Sequence, residues 1–148
     1  VVLGDARLSL AARQGAGYQL IVLDAFSSDA IPMHLLTHDA MRVYVSRLAP
    51  HGVLAFHISN RHLRLEGVLS RLAAATGLVA LERRDTRAER DWPKDKSASH
   101  WVMMARSPAD LGALVGDSGW TAPRGGASAP LWTDDRSNIL DVLEIRLR

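Results

Sequence analysis

Two hydrophobic periods alternate along the chain. Leu20, Ile21, Val22 and Leu23 form an unbroken apolar run that closes on Asp24. Such a run is the pattern of a strand covered on both faces. From Thr37, a good helix N-cap, the period changes. Met41, Tyr44, Val45 and Leu48 fall at i, i+3, i+4 and i+7, one stripe of a helix. Ala49, Pro50, His51 and Gly52 are expected to end that helix and turn the chain. A second strand is predicted over 53–58. Leu65, Val68, Leu69, Leu72 and Ala73 make a second helical stripe, with Gly77 where a C-cap glycine belongs. A third strand is predicted over 78–81 and a fourth over 101–105, antiparallel to the third. Residues 82–99 read as a charged, solvated loop.

The flanking segments are less regular. Residues 1–3 look like a strand end, Ala6 to Gln14 like a short helix, and 24–36 like a loop in which Pro32 blocks early helix formation. A short helix is predicted over 108–114. Six residues of 116–130 are Gly or Pro, so that stretch reads as loop. Trp132 to Asn138 is a polar corner, and 139–147 fits strand and helix equally.

Strand and helix in this alternation imply right-handed crossovers. The fold class is therefore α/β: a partial doubly wound, mainly parallel sheet with an antiparallel strand near the C-terminal end. One domain is expected over 1–148, with an α/β core at 1–106 and a C-terminal extension at 107–148. The chain opens on Val1, Val2 and Leu3 with no glycine-rich phosphate loop before its first full strand. It is expected to correspond to the second half of a nucleotide-type fold. The strand from Leu20 to Leu23 would then be a bare apolar edge, expected to pair with another chain, as in a homodimer.

Composition narrows the function classes. At 148 residues, folding buries roughly 70% of the unfolded surface. A net charge of +2 with acids and bases interleaved gives no case for nucleic acid. The absence of cysteine excludes disulfides, thiolate metal sites and cysteine nucleophiles. No apolar run reaches the ~18 residues of a membrane span. A cytoplasmic chain without membrane contact is expected.

Chemistry concentrates at strand ends. Asp24, at the carboxyl end of a strand, sits where ligands bind in open α/β sheets. It can hold an ammonium and accept its proton; its alternative role is to order the next loop. His57, Ser59 and Asn60 end the following strand. Asp5 suits either a base or ribose edge or the N-cap of the helix from Ala6. Trp132 and Asp134 can bind a cationic amine through ring and charge, or cap a turn. Ser27, Ser28 and Asp29 lack the Gly-x-Ser-x-Gly elbow of a hydrolase. His34, His38 and Asp39 read as a helix-start cluster, so no metal site is expected.

Three segments taken together resemble spermidine synthase-like proteins, a family with the class I S-adenosylmethionine methyltransferase fold. They are Gly4-Asp5-Ala6-Arg7, the stretch from Tyr18 through Asp24 to Pro32, and Leu48-Ala49-Pro50-His51-Gly52-Val53-Leu54. His57-Ile58-Ser59-Asn60-Arg61 and Trp132-Thr133-Asp134-Asp135 resemble its bacterial branch, whose members are often fused to membrane segments. The resemblance implies aminopropyl transfer from decarboxylated S-adenosylmethionine, as co-substrate, to a diamine such as putrescine. By it, Asp24 is the catalytic acid, Asp5 and Ala6 contact the nucleoside, and Asp29, His57, Trp132 and Asp134 line the amine site. The family's Gly-Asp-Gly is Gly-Asp-Ala here, and the Asp-Pro after its catalytic acid is replaced by a longer loop. The isolated chain is expected to show little activity. The alternatives are a small-molecule methyltransferase using S-adenosylmethionine and a non-catalytic assembly or ligand-sensing module.

Overall fold

The computed structural model describes residues 1–15, 17–25, 32–60, 62–85 and 98–143. Strands β1 (Tyr18–Leu23), β2 (Leu48–His57), β3 (Val79–Asp85) and β4 (Ser99–Ala105) form one sheet in the order β1-β2-β4-β3. Helices α1 (Ala6–Ala12), α2 (His38–Arg47) and α3 (Leu65–Ala75) connect or precede them. The protein is thus mixed α/β.

The helices are where the periodicity placed them. Thr37 caps α2 by accepting from the Ala40 N–H at 3.1 Å. Met41, Tyr44 and Leu48 are buried under it. The stripe of α3 is wholly inside, with Leu65, Val68, Leu69 and Leu72 at 0% exposure. Gly77, at φ +70°, ends α3. The Leu78 N–H returns to Ala73 O and the Gly77 N–H to Ala74 O, so two end carbonyls are satisfied.

The sheet corrects three expectations. Only β1 and β2 pair in parallel; β2–β4 and β3–β4 are antiparallel, so the sheet is not mainly parallel in its pairings. The cause is β4, which returns into the space between β2 and β3. Next, the helix ends at Arg47 and residues 48–52 already belong to β2. Gly17 and Gly52 make this approach feasible. A Cβ on Gly17 would lie 2.6 Å from the Ala49 nitrogen, and one on Gly52 would lie 2.7 Å from Tyr18 O. The Arg106 guanidinium donates to the carbonyls of Val45, Leu48 and Ala49, satisfying the chain where Pro50 interrupts the ladder. Lastly, β3 runs on to Asp85 through residues read as loop, because β4 pairs with it as far as Ser99.

Leu23, Leu54, Phe56, Val102 and Met104 share one core with α2 and α3. Strand alternation sends Leu20 and Val22 to the opposite face, where they are 54% and 51% exposed. Among the described residues α2 and α3 therefore pack on one face, and the opposite face is uncovered at β1. β1 is an edge strand, as expected. Residues 1–3 carry no regular structure, instead of ending a strand, and are exposed. The predicted helix at 108–114 is a 3-10 segment, Pro108–Gly116, broken at Gly112 (φ 58°). Ile139–Val142 is a further 3-10 turn. No described helix is long and apolar enough to cross a membrane.

Candidate functional site

The sheet register builds a polar rim at the carboxyl ends of β1 and β2. Leu23 pairs with Phe56, which sets Asp24 beside His57; His57 in turn pairs with Trp101 of β4. Side chains directly opposite across strands meet on one face. Asp24 Oδ1 lies 2.6 Å from His57 Nδ1. His57 Nε2 lies 2.7 Å from Ser59 Oγ. Ser59 Oγ also accepts the His100 N–H at 2.8 Å, which ties the rim to β4. The His57 ring stacks on Trp101, with centroids 4.5 Å apart. Exposure falls along this chain of bonds: the Asp24 side chain is 63% exposed and that of His57 27%. The carboxylate is the end that meets solvent.

A second polar group continues the rim toward β3. His100 is buried at 6%. Arg84 donates toward its Nδ1 at 3.3 Å, which leaves Nε2–H to donate to Glu82 at 3.2 Å. Glu66 Oε1 stands 3.8 Å from Arg84, and Glu66 Oε2 is buried with no partner among the described residues.

The nucleoside-side candidates lie in a different cluster. Asp5 caps α1, accepting from the Leu8 N–H at 2.8 Å, and pairs with His34 at 2.9 Å. The Leu8 N–H foremost, then the His34 charge, hold its carboxyl below the usual range against a desolvation cost. Ala6 begins that helix. Asp134 takes both guanidinium nitrogens of Arg7, at 2.8 and 2.7 Å, and the Thr37 hydroxyl at 2.7 Å. Arg7, and after it Thr37, depress the Asp134 carboxyl to about 2. Trp132 is 1% exposed, and its carbonyl accepts the His38 N–H. The 132–135 corner therefore caps α2, and its indole is core. A cavity of about 840 Å³ borders Arg7, Asp39, Arg42 and Asp134, away from Asp24. Its one ion pair among the described residues, between Arg7 and Asp134, is internal.

The structure thus joins Asp24 with His57, and Asp134 with the neighbourhood of Asp5. Among the described residues, no hydrogen bond or ion pair links these two groups. Asp29 lies outside the described residues. Ser59 was legible only as part of a polar strand end; Trp101, His100 and Arg7 gave no signal, because each reaches its partner across the chain. No group of three His, Asp or Glu among the described residues is arranged for a metal. In comparisons with known proteins, no family model, curated protein or solved structure matches the chain.

Proposed function

We propose that this chain carries the amine-binding rim of a spermidine synthase-like aminopropyltransferase acting in the cytoplasm. The observation that carries the reading is Asp24: an exposed carboxylate at the carboxyl end of a parallel strand, one oxygen engaged by His57 and the other without a partner among the described residues. That is the place and the charge for a cationic amine. The strand order supports the Rossmann-like part of the reading. The antiparallel β4 sits between β2 and β3, which run in the same direction, at the end of the sheet away from β1.

The chemistry follows from charge. An alkylamine, with a free pKa near ~10, is an ammonium at neutral pH and has no lone pair to attack with. Asp24 holds the ammonium and takes one proton. The freed lone pair then forms a bond to the carbon beside the sulfonium of decarboxylated S-adenosylmethionine. The C–S electrons leave on sulfur, giving methylthioadenosine. Asp5 and Ala6 are assigned to the nucleoside, and His57 to the amine side.

The test is product analysis with each donor. The full-length protein incubated with decarboxylated S-adenosylmethionine and putrescine should yield spermidine and methylthioadenosine by mass spectrometry. Calorimetry should show putrescine binding that Asp24→Asn removes. A methylated product from S-adenosylmethionine, or no binding of putrescine at all, overturns the proposal.

A further inference from the structure

The hydrogen-bond chain from Asp24 to Ser59 admits one proton arrangement when the ring is neutral. An ionised carboxylate only accepts, so His57 Nδ1 carries the hydrogen that points at Asp24 Oδ1. Nε2 is then a lone pair, and the Ser59 hydroxyl donates to it. Ser59 is free to do so because the His100 N–H occupies one of its lone pairs and leaves its own hydrogen unassigned. The arrangement has the order of a serine nucleophile triad, but its exposure runs the other way. In such a triad the acid is buried and the serine meets the substrate; here the acid is the open end.

We propose that His57 is the positioning residue for Asp24, and that its second proton and a ligand ammonium compete for the same carboxylate. This rests on the aminopropyltransferase reading for the identity of the ligand, though not for the ring's tautomer. Neutral His57 clamps one oxygen and leaves a full negative charge for the ammonium. Protonated His57 cancels that charge. Each ammonium bound to the protonated form must then expel one proton from the imidazole to solvent. Among the described residues, the other groups around the ring do not reproduce this behaviour. Trp101 of β4 is uncharged; Arg83 of β3, in register with Trp101, is paired with Asp117. His100 meets the rim only through its backbone N–H, and its ring faces Glu82 and Arg84.

Two measurements test it. Ring-nitrogen NMR of the labelled protein at high pH should show His57 protonated on Nδ1; an Nε2–H ring overturns the proposal. Putrescine affinity, followed by calorimetry between about pH 5.5 and 8, should fall by roughly tenfold overall toward the acid end. Putrescine stays fully charged throughout, so the ligand does not cause the slope. His57→Asn places an N–H at the Nδ1 position without a titrating ring. Whatever its absolute affinity, it should show no pH slope, while His57→Gln, with its N–H at the far position, should bind more weakly than His57→Asn. A slope that survives in His57→Asn, or a flat wild-type profile, overturns the competition. Absence of putrescine binding at every pH overturns the aminopropyltransferase reading, and the tautomer still decides whether His57 aims Asp24.

Discussion

The imidazole of His57 and the indole of Trp101 lie 18° from parallel. Asp24 and Ser59 restrain the ring within its plane, and Trp101 restrains the plane itself. Trp101→Ala should therefore weaken putrescine binding by about 1 kcal/mol, the size of an aromatic pair. Calorimetry at high pH measures this. Equal affinities would show that the stack plays no part in aiming the carboxylate.

Asp24→Asn should lower turnover by roughly 10²–10⁴-fold, the range for a lost general base. Its side chain is mostly exposed, so thermal melting should hardly move. A turnover equal to wild type would take Asp24 out of the mechanism.

Acid should weaken the tie between α1 and the 132–135 corner. The Asp134 carboxyl is depressed in the folded protein, so its contribution is present above the unfolded value near ~3.9 and is lost as pH falls toward about 2. Asp134 is 45% exposed, which limits the pair to about 1 kcal/mol at most. Denaturant unfolding between about pH 2 and 5 should show a steeper acid loss in wild type than in Arg7→Ala. Parallel curves would mean that the ion pair adds nothing.

How far the sequence discloses this molecule depends on the range of the interaction. The α2 and α3 stripes, the Thr37 cap and the Gly77 stop are settled within a few residues, and all are legible. Residues 48–52 mislead because Pro50 and Gly52 are local breakers, while the group that satisfies the nearby carbonyls, Arg106, is far along the chain. Residues 82–85 mislead because their charges suggest solvent; pairing with β4, and of Glu82 with Thr121, makes them strand. Asp24 and His57 were visible as strand ends. Their contact was not, since it needs the β1–β2 register. Asp134 shows the reverse case: its acid was conspicuous, and its partner stood 127 residues away.

Gly17→Ala should destabilise the protein by about 1–3 kcal/mol, because the added methyl meets the Ala49 backbone, which has little room to yield. Gly116→Ala, where nothing lies within 4 Å, is the control. Chemical denaturation of both variants checks the contrast; similar losses would refute the close approach of β1 to β2.

The β1 edge should make the chain self-associate. Leu20 and Val22 stand on an uncovered face beside strand backbone that has no partner strand among the described residues. Sedimentation should show mass rising with concentration, and Leu20→Lys with Val22→Lys should reduce it. A monomer at every concentration would count against edge pairing.

The place of β4 in the sheet carries a consequence for synthesis. A nascent chain that has emerged only as far as Asp85 holds Asp24, His57 and Ser59, yet lacks the indole beneath the imidazole and the amide that anchors the serine. Insertion of β4 between β2 and β3 then completes the rim. Ligand capture on the ribosome should strengthen once Trp101 has left the exit tunnel and docked between its neighbours.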